Sequence, residues 1–167
     1  VTFRLEALAD HHDLSELRCG NRELDDWLHQ HARTATGQGT RTYILVDAQD
    51  RVAGYFSLAP HTIERDQLSK KSARGAPRHT PAILLAKLAL AEHLHGQHLG
   101  SELLVVALDT IVEAARRAGG KFVVVDAIDD TAAAFYAYHE FEPMPANPRR
   151  LTRKLSTIAK AIGTPWP

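Results

Sequence analysis

Two stretches of this chain hold residues whose types and spacing can do chemistry. In the first, an almost unbroken apolar run, Ile83 to Ala91, leads into the turn His95-Gly96-Gln97-His98-Leu99-Gly100 and then into an amphipathic pattern. A helix entered from a tight glycine turn aims several unpaired backbone N–H groups at one spot, and with the helix dipole those donors make a phosphate site. Gly96 and Gly100 let the backbone approach an anion closely. Strand–glycine–helix units are widespread, so a plain structural turn is the competing reading. The second stretch runs from Ala127-Ile128-Asp129-Asp130 into Ala132-Ala133-Ala134-Phe135-Tyr136-Ala137-Tyr138. Phe135 and Tyr136 point about 100° apart on a helix and cannot both face a core squarely. Tyr136, with its polar tip, is the one expected at a cleft; a core aromatic is the alternative. His93, His95 and His98 span a strand end and a turn, which does not suit tetrahedral ligation, so no metal is expected.

The elements that must position these groups follow from periodicity. Phe3 to Leu5 starts a first strand. Asn21 caps a helix that carries Leu24, Trp27, Leu28 and His31 at helical spacing and ends near Thr36, before Gly37 and Gly39. Asp25-Asp26 reads as the solvated face of that helix. Tyr43 to Val46 and Val52 to Leu58 form a hairpin across the turn Asp47 to Asp50. Residues 61 to 79 are polar and basic and read as a mobile surface loop. From Leu99 to Arg117, Leu103, Leu104, Ala107, Leu108, Ile111 and Val112 share one helical face, and Gly119 and Gly120 stop the helix. Phe122 to Val125 is a buried strand. A short helix follows, capped by Asp129 or Asp130 and running through Tyr138. Phe141 to Pro143 and Leu151 to Leu155 supply the last strands. The reading is one domain over residues 1–157, with 158–167 as a tail.

The bulk numbers narrow the classes. A length of 167 residues suits one sizeable core. Formal net charge is zero, so any nucleic-acid contact has to be a local basic patch. Ten histidines make the charge sensitive to pH between about 6 and 7. The single cysteine, Cys19, forbids an internal disulfide and fits a reducing compartment. No apolar run approaches the roughly 20 residues of a membrane helix, and no signal peptide is visible. The expectation is a cytoplasmic protein with no membrane partner.

Leu84-Leu85-Ala86-Lys87-Leu88-Ala89-Leu90, the turn 95–100, and Ala133-Ala134-Phe135-Tyr136 followed by Phe141-Glu142-Pro143 together resemble the GNAT superfamily of acetyltransferases. Leu17-Arg18-Cys19-Gly20-Asn21-Arg22-Glu23-Leu24-Asp25-Asp26-Trp27-Leu28, Val52-Ala53-Gly54-Tyr55-Phe56-Ser57-Leu58 and Asp126-Ala127-Ile128-Asp129-Asp130 look like the toxin branch from bacterial toxin–antitoxin modules. The resemblance covers roughly residues 3 to 155. It implies an α/β (α+β) GNAT fold: a mixed central sheet of about six or seven strands with helices on both faces. Acetyl-CoA would be the cosubstrate, held by Leu88, Ala89, Leu90, His95, Gly96, Gln97, His98, Leu99, Gly100, Ser101, Asp129 and Phe135, with Tyr136 protonating the departing thiolate. The acceptor would be the amine of aminoacyl-tRNA. Arg33, Lys70, Lys71, Arg74, Arg78, Arg149 and Arg150 are the basic residues expected to meet its phosphates, with Arg41, Arg153 and Lys154 as further candidates. The partners implied are a ribbon–helix–helix antitoxin, itself a DNA binder, and a second copy in a homodimer. A small-molecule amine or a protein N-terminus is the alternative acceptor, and a non-catalytic binding module is a second alternative. His98 and Glu140 depart from the pattern, each standing where the superfamily has glycine. A side chain at 98 would crowd the ligand or resist a positive φ, or a protonated imidazole would assist phosphate binding.

Overall fold

A computed structural model describes residues 2–167. Thirteen strands and α-helices alternate along the chain: β1 (Arg4–Ala7), α1 (Arg22–Gln30), α2 (Ala32–Gly37), β2 (Arg41–Val46), β3 (Val52–Glu64), α3 (Lys70–Ala73) and β4 (His79–Leu90) come first. Then follow α4 (Leu99–Ala118), β5 (Phe122–Asp126), α5 (Asp130–Tyr138), β6 (Glu142–Met144), β7 (Asn147–Lys154) and α6 (Leu155–Ile162). The strands form a seven-stranded sheet in the order β1-β2-β3-β4-β5-β7-β6. β4 and β5 are parallel, while β1–β2, β2–β3, β5–β7 and β6–β7 are antiparallel, so the sheet is mixed as expected.

The chain gathers into two compact units, one ending at Ala59 and adding Ala86–Ala107, the other made of Pro60–Leu85 and Leu108–Pro167. In the first, the Asn21 side chain accepts from the Leu24 N–H at 3.0 Å and starts α1. The expected single helix to Thr36 is broken at His31, whose ψ of −22° follows a φ of −124°, so α1 and α2 are separate. Asp25 is not on a solvated face. It is buried, and its carboxylate accepts from the Cys19 N–H at 2.9 Å, which fixes the chain entering the helix. The hairpin turn closes on Asp47, whose Oδ1 accepts from the N–H groups of Gln49 and Arg51, both at 2.9 Å. Leu28, Ile44, Tyr55, Phe56 and Leu104 form the heart of this unit's core.

In the second unit two expectations are corrected. Residues 61–79 are not a mobile loop. β3 runs on to Glu64, α3 follows, and Ile63, Leu68 and Ala76 pack into a buried cluster with Ala82, Phe122, Val124 and Met144. Three buried apolar anchors, widely spaced among charged residues, gave no periodicity to detect. Nor is the segment after Thr157 a tail at its start: Leu155, Ile158 and Ala159 are fully buried along one face of α6, which ends in an αL cap at Gly163. α4 buries the face read from its spacing, including Leu103, Leu104, Ala107, Leu108, Ile111 and Val112.

Candidate functional site

The first unit contains the glycine turn. β4 ends at Leu90, and residues Glu92–Leu94 make one 3-10 turn, anchored where the Glu92 N–H donates to the Arg18 carbonyl at 2.7 Å. The His95 ring donates through Nε2 to the Leu90 carbonyl at 2.8 Å, tying the turn to the strand it leaves. The Gln97 carboxamide folds back on the His93 carbonyl at 3.4 Å. His95 and Gln97 therefore shape the turn with the groups expected to touch phosphate. Gly96 has a φ of +80° and His98 of +60°, so His98 holds the left-handed conformation that glycine takes in the superfamily pattern. Its carbonyl accepts the first helical bond, from the Glu102 N–H at 3.4 Å. Leu99, Gly100 and Ser101 form the first turn of α4, the end of a helix whose dipole favours an anion. A Cβ built on Gly96 or Gly100 would meet no protein atom within 4 Å. Open approach, positive φ and a helix start together fit a pyrophosphate.

Leu88, Ala89 and Leu90 lie at the end of β4. The registered pairs of β4 with β5 run from Ala82↔Phe122 to Leu85↔Val125 and stop there. On its other edge the end of β4 is held tightly: the Ala91 N–H donates to the Ala53 carbonyl at 2.8 Å, and a Cβ on Gly54 would come within 2.8 Å of the Ala89 carbonyl oxygen. Gly54 is a positioning residue that sequence reasoning missed. A glycine inside a β-rich run was the available signal, because such glycines mark close backbone approach. Also unread in the sequence is a stack in which Trp27 lies 6.0 Å from Tyr55 and the Lys87 ammonium sits 5.4 Å over the indole.

The second unit contains Tyr136. The Asp129 carboxylate accepts from the Ala132 N–H at 2.8 Å, so it is the N-cap of α5, and its expected cofactor contact has a structural competitor. Tyr136 is 8% exposed and Phe135 is half-buried, which reverses the expectation that Tyr136 is the open one of the pair. The cause is packing: the Tyr136 ring meets Phe135 at 5.4 Å and Phe141 at 5.6 Å, both edge-on. No side chain among the described residues hydrogen-bonds its hydroxyl, and burial pushes the phenol well above its ordinary pKa. It stays protonated. α5 closes as a glycine would close it: Glu140 has a φ of +69°, the Phe141 N–H donates to the Tyr136 carbonyl at 3.0 Å, and Arg153 pairs with Glu140 at 3.1 Å.

The basic residues divide. Lys70, Lys71, Arg74 and Arg78 are exposed and form no ion pair among the described residues. Arg149 pairs with Asp130 at 3.0 Å, and Arg150 is clamped by both Asp126 oxygens at 2.7 and 2.8 Å. Arg33, in the first unit, donates to the His12 carbonyl at 2.7 Å, and Arg41 to the Thr36 carbonyl at 3.2 Å. Among the basic residues singled out from the sequence, the four of the 70–78 segment combine exposure with uncommitted charge. Glu6, His11 and His12 are close enough to hold a metal ion, but both His12 nitrogens are engaged. Its Nδ1 accepts from the Ala9 N–H at 3.0 Å and its Nε2 donates to Glu6 at 2.8 Å.

No family model matches the chain. A tRNA-acetylating toxin of Mycobacterium tuberculosis (strain ATCC 25618 / H37Rv) is 31% identical over 156 residues, covering 93% of this chain and 94% of that protein. Among solved structures, AtaT complexed with acetyl-methionyl-tRNAfMet has a TM-score of 0.86 at 27% identity, covering 96% of this chain and 99% of that one. AtaTR bound with AcCoA has a TM-score of 0.81 at 26% identity, covering 96% and 98%. An AtaT variant bound to the C-terminus of the antitoxin AtaR has a TM-score of 0.81 at 25% identity, covering 95% and 97%. With a relative this similar over nearly its whole length, the chain belongs to the GNAT-type tRNA-acetylating toxins of toxin–antitoxin modules.

Proposed function

We propose that this protein transfers the acetyl group of acetyl-CoA to the free amine of aminoacyl-tRNA and so blocks translation. The observation that carries the reading is the 31% identity to a tRNA-acetylating toxin over 93% of the chain. The chemistry is a direct transfer. The neutral amine nitrogen attacks the thioester carbonyl, the C–N bond forms, the C–S bond breaks, and the amine proton leaves to water. A backbone N–H at the end of β4, among Leu88, Ala89 and Leu90, stabilises the oxyanion. The turn Gly96–Ser101 holds the pyrophosphate through its N–H donors and the start of α4. Tyr136, kept protonated by burial, gives its proton to the leaving thiolate. Lys70, Lys71, Arg74 and Arg78 contact RNA phosphates.

The relatives' antitoxin complexes support a partner antitoxin for this chain, which we assign to the ribbon–helix–helix class, and the active form is a homodimer. Residues 1–157 act as one catalytic domain. No helix is long and apolar enough to cross a membrane, and acetyl-CoA and charged tRNA meet in the cytoplasm, where the protein works. The test is incubation of purified protein with acetyl-CoA and a mixture of charged tRNAs, followed by nuclease digestion and detection of N-acetyl-aminoacyl adenosine. Modification of at least one charged tRNA is the expected result. If every charged tRNA stayed unmodified while a free amino-acid ester was acetylated, the acceptor assignment would be wrong.

A further inference from the structure

Arg150 is the sequence candidate whose surroundings least resemble those of a phosphate ligand. Its Nε and Nη2 donate to the two Asp126 oxygens, and its Nη1 donates to His61 Nε2 at 3.0 Å. Three of the five guanidinium N–H groups are thus used in the plane, on two edges. Burial, and then the Arg150 charge, lower the His61 pKa, so the imidazole is neutral and accepts this bond. A guanidinium fixed in this way cannot swing toward a phosphate. It retains a flat face, and a flat guanidinium is a surface on which unstacked RNA bases lie.

Arg150 also lines a cavity of about 230 Å³, together with Gln67, Asp126, Met144, Ala146 and Asn147. The volume is below that of pockets taking drug-sized ligands, and suits a single ring system. Gln67 and Asn147 are exposed, and neither carboxamide has a hydrogen-bond partner among the described residues. A carboxamide offers a donor and an acceptor side by side, the pattern that matches a base edge. Met144 is 5% exposed and anchored in the buried cluster with Ile63 and Leu68, so it contributes a polarisable surface suited to an aromatic ring. The unpaired cations of the 70–78 segment follow Gln67 in the chain and supply charge for the adjoining backbone.

We propose that this cavity receives one unstacked nucleobase of the RNA substrate, stacked on the Arg150 guanidinium and read by Gln67 and Asn147. The inference rests on the reading that aminoacyl-tRNA is the acceptor. It turns Arg150 from a charge contact into a positioning platform and divides recognition between a base pocket and the cationic segment.

The test uses the full chain and short single-stranded RNAs in which the fluorescent base 2-aminopurine is moved one position at a time from the 3′ end. Wild type should change the emission at one position. The double variant Gln67→Ala/Asn147→Ala, which alters only exposed side chains, should abolish that change. It should also raise KM for charged tRNA about tenfold, the size of one lost base contact, with kcat and acetyl-CoA affinity within about twofold. Arg150→Lys keeps the charge and removes the plane, so it should behave like the double variant; wild-type behaviour would make Arg150 a point charge and overturn the platform. Should Arg150→Lys fail to fold, the double variant still decides. Wild-type RNA binding and transfer with no effect of the double variant would overturn the pocket while leaving the tRNA reading intact. No RNA binding and no transfer to charged tRNA by wild type would overturn both.

Discussion

Tyr136 and His98 are the residues on which the proposed catalysis and cofactor binding most directly turn. A phenol at 8% exposure with no side-chain hydrogen bond is held protonated by its surroundings alone. Tyr136→Phe keeps the ring that packs on Phe135 and Phe141 and removes only the hydroxyl that carries the proton. Acetyl-CoA affinity should stay the same while kcat falls by about 10²–10⁴-fold, the usual worth of a positioned acid. Calorimetry and steady-state kinetics on one preparation check this, and an unchanged kcat would mean that water protonates the thiolate. His98 holds a φ of +60° with an exposed side chain, so the turn takes the glycine conformation without glycine. Such a position costs an ordinary L-residue roughly 1–2 kcal/mol, and a β-branched residue more. His98→Gly should therefore bind acetyl-CoA within about threefold of wild type, whereas His98→Val should lose at least about tenfold. Equal binding by the valine variant would show that the turn does not depend on positive φ.

At the scale of elements, the end of β4 is defined by what crowds one of its edges. A Cβ at residue 54 would come within 2.8 Å of a backbone oxygen, and backbone cannot step aside as a flexible side chain can. Gly54→Ala should push Ala89 and Leu90 outward, weaken acetyl-CoA binding by about tenfold or more, and destabilise by about 1–3 kcal/mol, as overpacking does. Urea unfolding and calorimetry read the two effects separately. α6 belongs to the fold in the same sense: Leu155 and Ile158 each contribute about 1.5–3 kcal/mol through burial. The sequence made some of these elements plain and hid others. α4 was legible because its six apolar residues repeat at helical spacing, and the Asn21 cap because a capping side chain acts on its own helix; for α5 the sequence left Asp129 and Asp130 as equal caps, and the structure selects Asp129. The 61–79 excursion was not legible, since Ile63 and Leu68 are isolated anchors whose burial depends on partners far away in the chain; α6 was missed although Leu155, Ile158 and Ala159 stand at helical spacing, because the run is only eight residues long and lies next to the end of the sequence. The same reason separates the site residues. The turn at 95–101 is local and readable. The Arg150–Asp126–His61 group joins residues up to 89 positions apart, and only the folded sheet brings them together.

For the molecule as a whole, pH is the perturbation the structure resolves on both sides of neutrality. On the acid side, burial and Arg150 lower the His61 pKa, and burial and Arg153 lower that of His139. The unfolded chain then takes up protons first, near its ordinary histidine pKa of about 6.5, and stability is lost as pH falls below that value. His61→Gln keeps an acceptor for Arg150 and removes the titration, so its acid limb should be shallower. On the alkaline side, burial, then the hydrogen bond to Asp25, push the Cys19 thiol up to about 11. Burial also raises Tyr55 and Tyr136. A group whose folded pKa lies above its unfolded one stabilises fully below the unfolded value and loses that contribution as pH rises through the folded one. Cys19 comes first, because an unfolded cysteine ionises near about 8.5 and an unfolded tyrosine near about 10. Urea midpoints should therefore be flat near pH 7–8 and fall between about 8.5 and 10 in wild type. In Cys19→Ala the protein starts from lower stability, having lost a buried side chain, but the midpoint should hold level until the tyrosines begin to ionise. A decline of equal slope in both proteins over that interval would place the alkaline sensitivity elsewhere and make the burial of Cys19 a matter of packing alone.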